Sequence, residues 1–142
     1  AELVLAQRQL PGDTPLVEEV VPRFDAAGQP ALGDAAVDRL VQHYQAATEK
    51  HPHMAYLHNN LAWAAARCHR RLDDALAHAE KAVELTPDHA GHIDTLAEVH
   101  FHRGDREQAI RFSQKSLELR PGDANLKRQL QRFRDDPLPK GK

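Results

Sequence analysis

The sequence predicts an all-α stack of helix hairpins, on three observations. Prolines at positions 11, 52, 87 and 121 are spaced by 41, 35 and 34 residues, and each follows an amphipathic run that it cannot continue. Between them, apolar residues recur at three- and four-residue spacing, the period of a helix with one buried face. Hydrophobic residues make up 41% of the chain but aromatics only 5%, so the core must be built from Ala, Leu and Val, which let helices approach closely. A helical period in the mid-thirties marks a stacked array, and such arrays serve mostly as binding surfaces.

The composition narrows the function classes. A formal charge of −2 with 28% charged residues argues against a general nucleic-acid or membrane-surface protein. No apolar run approaches the roughly 20 residues of a membrane helix. The single cysteine, Cys68, excludes an internal disulfide, and the sequence names no compartment.

The elements follow in order. Residues 6–13 (AQRQLPGD) match residues 116–123 (SLELRPGD), the tail of a second hairpin helix. Residues 1–12 are therefore expected to end a helix whose beginning lies upstream, in a longer protein. Residues 13–54 form a divergent hairpin. Val20 and Val21 take the packing positions of its first helix, Phe24 the aromatic one and Gly28 the turn. Leu40, Tyr44 and Ala47 face inward from its second helix. About seven extra residues, around 29–35, are expected as a longer loop plus one extra helical turn. Pro22 should kink or loosen the first helix, because it has no N–H and its ring crowds the preceding turn.

Residues 55–89 and 90–123 are two clearer hairpins. Asn60-Leu61-Ala62-Trp63 opens an apolar helix in the first of them. Leu72, Ala75, Leu76, Ala79, Ala82, Val83 and Leu85 mark its partner, with Asp73 and Asp74 in the first turn, where the helix dipole favours negative charge. Thr95-Leu96-Ala97 repeats the opening, and Gly104-Asp105 makes the next turn. Residues 124–135 read as a polar capping helix, and 136–142 as a frayed tail.

Leu61, Ala62, Ala75, Ala79, Ala82 and Pro87, repeated as Leu96, Ala97, Ala109, Ser113, Ser116 and Pro121, resemble the tetratricopeptide repeat (TPR), which has a period of about 34 residues. Ala79 and Ser113 stand where that family has an aromatic, and Ala66 and His100 stand at its helix-A tyrosine. The resemblance implies a right-handed superhelix, an α-solenoid of about three hairpins plus a cap.

Catalytic or metal chemistry finds little support in the residues. Ten histidines include no pair at i and i+4, the spacing that turns two rings toward one metal on a helix. They are read as surface residues, and no metal or cofactor is expected. Cys68 and His69 are adjacent and so diverge by about 100° on a helix. Paired acids such as Glu18/Glu19 and Asp135/Asp136 diverge in the same way. The chain is therefore not expected to be an enzyme.

In the resembled family the first helices of the hairpins line a concave groove that holds the ligand. That maps partner contacts to Tyr56, Asn59, Asn60, Trp63 and Arg67 in one hairpin. It adds Asp94, Glu98, Phe101 and His102 in the next, then Arg128 and Arg132 with Asn125 on the cap helix. Glu18, Pro22 and Asp25 occupy the same face of the first hairpin. Trp63 is read either as an anchor for a partner or as packing between neighbouring helices. Asn59 is assigned to ligand contact, because an amide both donates and accepts, and Asn60 to the backbone of a neighbouring repeat. The resembled family also includes chaperone-tail binders with a basic and amide clamp. Only Asn60 fits it: Glu18, Pro22, Gly91 and Thr95 occupy the other places, so an acidic EEVD-type tail is not an expected ligand.

The expected function is a non-catalytic module that binds a protein or peptide, with no nucleic acid or membrane partner. Lys127, Arg128, Arg132 and Arg134 are read as a solubilising face. Two alternatives stay open: an accessory domain of a larger enzyme, and a scaffold that self-associates through an apolar patch at the first hairpin, Leu3 and Val4 included.

Overall fold

The computed structural model describes residues 13–140, and the expectations for residues 1–12, including Leu3 and Val4, lie outside them. Seven helices follow one another with no strand among the described residues. Helix α1 (13–26) is built from an α-helical turn Asp13–Pro15, a π-helical turn Leu16–Val20 and a further α-helical segment Val21–Ala26. The remaining helices are α2 (Pro30–Lys50), α3 (Ala55–Arg67), α4 (Leu72–Leu85), α5 (Ala90–His102), α6 (Arg106–Leu119) and α7 (Ala124–Asp135). Consecutive helices pair as hairpins α1–α2, α3–α4 and α5–α6, and each second helix also packs on the first helix of the next unit.

Local chemistry sets the boundaries. Asp105 accepts a hydrogen bond from the Gln108 N–H, and Asp123 accepts from Asn125 and Leu126, so α6 and α7 start on capped donors. Gly104 takes φ +87° after α5, the left-handed conformation that closes a helix. Pro22 lies directly after the π-helical turn, where the Val21 N–H reaches back to the Leu16 carbonyl. The wider turn is how α1 carries a proline without breaking.

The core is Ala-rich, as the composition requires. Ala62, Ala65, Ala66, Ala75, Ala79 and Ala82 are fully buried and let α3 and α4 meet closely. Larger groups fill the gaps between units: Val37, Val41 and Tyr44 from α2, Leu61 from α3, Leu96 and Val99 from α5. The α6 Ser116 hydroxyl donates to the Ala90 carbonyl at 2.7 Å, which ties α6 to the start of α5. Leu126, Leu130 and Phe133 bury the inner face of α7. Arg106 closes its far end by donating to the Phe133 and Asp136 carbonyls at 2.5 and 2.6 Å.

The first hairpin differs from its sequence-based reading in three respects. The extra residues form no loop: α2 has 21 residues where α4 and α6 have 14, so all seven are helical. Its inward stripe runs Gly33, Val37, Val41, Tyr44, Thr48, leaving Leu40 and Ala47 half-buried at the side. Val21 is buried, but the packing position beside it is Val17, not Val20. Val20 is 38% exposed while its counterparts Leu61 and Leu96 are buried, because among the described residues no helix packs on that side of α1.

The lengthened α2 has a definite role. The turn between α3 and α4 holds His69 and Arg71 at φ 52° and 53°, left-handed values that cost a non-glycine residue of order 1 kcal/mol each. Arg70, between them, turns inward and is 7% exposed. Its guanidinium donates to Asp34 at 2.5 Å, to Asp25 at 2.7 and 3.2 Å and to the Cys68 carbonyl at 3.0 Å. Asp34 belongs to the added turns of α2. Gly33 leaves the space, since a Cβ there would lie 2.8 Å from the Arg70 Nη2.

Candidate functional site

The candidate site is the face shared by α3, α5 and α7. On α3, Tyr56, Asn59 and Trp63 follow one another at three- and four-residue spacing and are all half-buried. Trp63 packs against the main core and still keeps an exposed part, so its two readings are compatible. Asn60, one residue round the helix from Asn59, is 2% exposed and has no surface to offer a partner. Arg67 lies at the end of the row, its side chain 35% exposed.

On α5 the expected contacts separate. Asp94 and His102 are half-buried at the surface. Glu98 and Phe101 are only 1% and 2% exposed and are interior groups, a correction to their assignment as partner contacts. The cause is α7, which packs across this end of α5. The rings of Phe101 and Phe133 lie 5.1 Å apart, and the Arg132 guanidinium covers both, 5.2 and 4.7 Å from their centroids. Arg132 also bonds the Glu98 carboxylate. Glu98 accepts further from His102 Nε2 at 3.1 Å and Arg67 Nη1 at 3.5 Å. Four of the expected site residues thus meet in one ionic cluster joining α3, α5 and α7.

The two acids of α5 titrate in opposite directions. Burial pushes Glu98 up, but the His102 hydrogen bond and the charges of Arg132 and Arg67 outweigh it and hold Glu98 below the usual range. Asp94 is pushed up to about 6 by burial and by the Glu98 charge, against the opposing pull of Gln129 and Arg132. One oxygen of Asp94 and the amide oxygen of Asn59 are buried without a hydrogen-bond donor. The row ends on α7 with Asn125 and Arg128, both exposed.

The first hairpin contributes less than expected. Glu18 and Pro22 are exposed, whereas Asp25 is held by Arg70 at the edge formed by the inter-helix turns. That edge carries a cleft of about 690 Å³ lined by His69, Arg70, Arg71, Asp73, His102 and Arg103, among others. Its arginines already have carboxylate partners: Arg70 with Asp25 and Asp34, Arg71 with Asp38 and Asp74, Arg103 with Asp73. The cleft is therefore a held structural corner rather than a charged site open to a ligand.

Nor are the histidines mainly surface residues. His58 and His92 are buried. His58 Nε2 donates to the Pro52 carbonyl at 3.0 Å, and its Nδ1 lies 2.8 Å from that of His78. His69 and His102 approach in the same way at 3.1 Å. These pairs join residues 20 and 33 apart in sequence, so i, i+4 counting along one helix misses them. Burial, and then His89, pushes His92 down to about 4. No group of three or more His, Cys, Asp or Glu is placed to hold a metal among the described residues, and no helix there is long and apolar enough to cross a membrane.

No protein-family model matches the chain. Over 102 residues it is 35% identical to the Hsp70-Hsp90 organizing protein of Triticum aestivum, an alignment spanning 72% of this chain. The chain covers only 17% of that protein's length. Among solved structures it resembles the first TPR domain of human RPAP3, with a TM-score of 0.62 and 18% identity over 87% of this chain and 92% of that one. It also resembles the first TPR of Spaghetti (RPAP3), solved with the HSP90 peptide SRMEEVD, with a TM-score of 0.62 and 18% identity over 86% of this chain and 90% of that one. The chain has the tetratricopeptide-repeat fold, which over the described residues is an all-α right-handed solenoid of three helix hairpins followed by α7.

Proposed function

We propose that the chain is a non-catalytic interaction module that binds an extended segment of a partner protein along α3, α5 and α7. One observation carries this reading. The groove face keeps Tyr56, Asn59, Trp63, Asp94 and Arg128 at least partly open, while equivalent rows on the packing faces are filled by alanine and leucine. Half-buried aromatic and amide groups in a row suit an extended backbone, which needs both contact area and hydrogen bonds. The peptide held by one structural neighbour supports this type of ligand. Glu18, Gly91 and Thr95 supply no cations where a carboxylate tail would be gripped, so an acidic chaperone tail is not the proposed ligand. The paired substitution Trp63→Ala with Arg128→Ala tests the site: it should abolish affinity capture of a partner that the unaltered chain retains. Retention by the double variant would remove the groove from the account.

A second reading, self-association, is favoured by an apolar cleft of about 460 Å³ on the first hairpin. Leu16, Val20 and Phe24 of α1 line it with Ala36, Arg39 and Leu40 of α2. Sedimentation velocity should then show a mass that rises with concentration, and Val20→Asp should keep the chain monomeric. A constant monomer mass for the unaltered chain would exclude this use of the cleft.

A further inference from the structure

We propose that Asp94, with Asn59 at the matching position of the neighbouring helix, makes the groove select a ligand bearing a basic side chain. The inference rests on the groove reading and adds the ligand's chemistry to it. Positions 59 and 94 lie 35 residues apart, one repeat, and so occupy the same place on α3 and α5. Each carries a buried oxygen with no donor, two of the three such side-chain atoms among the described residues. A buried acceptor left unpaired costs on the order of 1–3 kcal/mol, so a ligand that brings donors to this point recovers what the free protein lacks.

Charge narrows the choice of donor. Glu98, one helical turn away, has three cationic or imidazole partners. Arg132 bonds Glu98 directly and reaches Asp94 only through its charge, while Gln129 gives Asp94 a side-chain hydrogen bond. A peptide amide would satisfy the orphan oxygens but add no cation to an acid that draws on the Arg132 charge alone. A lysine or arginine does both, through a charge-assisted bond. An acidic ligand residue here would add a third carboxylate beside Asp94 and Glu98. Arg128, exposed on α7, disfavours a second cation at that end, which places the basic residue near the α3–α5 junction.

The groups that act on Asp94 are Glu98 on its own helix, Asp123 before α7, and Gln129 and Arg132 on α7. Because burial and Glu98 raise its titration to about 6, binding of a basic ligand should weaken as pH falls below that value.

The test is selection from a displayed library of random twelve-residue peptides on the full chain and on Asp94→Asn. The unaltered chain should enrich Lys- or Arg-containing peptides over the input, and Asp94→Asn should weaken their binding on the order of tenfold and erase the bias. Enrichment of acidic peptides, no charge bias, or a bias that survives Asp94→Asn overturns the proposal while leaving the groove standing. No enrichment at all by the unaltered chain sinks the groove reading, and the proposal with it.

Discussion

Asp94 and Glu98 stand one turn apart on α5, yet their charges are answered unequally. Glu98 draws on Arg67, His102 and Arg132, whereas Asp94 is pushed up to about 6. An acid whose folded pKa lies above its unfolded value destabilises the fold when ionised. That cost is present above pH 6 and disappears below about pH 4, where both states are protonated. Asp94→Asn should therefore be more stable than the unaltered chain at pH 8, by about 2 kcal/mol, and no more stable at pH 4. Urea unfolding at the two pH values checks this, and a less stable variant at pH 8 would contradict it. The i, i+3, i+7 row of Tyr56, Asn59 and Trp63 was legible in the sequence because one helix defines it. The burial of Glu98 and Phe101 was not, because it depends on Arg132 and Phe133 arriving from α7, more than thirty residues later.

Among the elements, α2 departs furthest from the repeat. Its added turns bring Asp34 to Arg70 and, through Gly33, leave room for the guanidinium. Replacing Gly33 with Ala sets two effects against each other. Alanine gains up to about 1 kcal/mol of helix propensity. The new Cβ displaces the buried Arg70 from two part-exposed carboxylates, and leaving that guanidinium without them costs about 2–3 kcal/mol. Gly33→Ala should thus destabilise the fold by about 1–2 kcal/mol. In an Arg70→Met background the same change should be neutral or stabilising, because only the propensity gain remains. A double-mutant cycle measured by denaturant unfolding checks this, and simple additivity would contradict it. Periodicity revealed that α2 exists and carries about seven surplus residues. It could not reveal that they continue the helix, since Gly28, Pro30 and Gly33 in sequence read equally well as a loop. Their helical course becomes intelligible only with Arg70, 36 residues away.

For the molecule as a whole, the proline spacing was sufficient to read the array, because Pro52, Pro87 and Pro121 each follow the end of a helix that packs on the next unit. Stability then comes from neighbour contacts, and with a single cysteine in the chain no internal disulfide can add to it. The same regularity leaves Tyr56, Asn59, Trp63, Asp94 and Arg128 at least partly open along the face of α3, α5 and α7, although α7 closes over Glu98 and Phe101. Use of that face for a partner is the central claim, and Trp63 reports on it directly as the chain's single tryptophan. The decisive measurement is Trp63 emission during titration with a captured partner or a selected peptide whose binding is followed independently by calorimetry. The account predicts a saturable change in emission that tracks the calorimetric isotherm and weakens in Arg128→Ala. Full calorimetric binding with unchanged Trp63 emission, and no effect of Arg128→Ala, would place the partner elsewhere and contradict it.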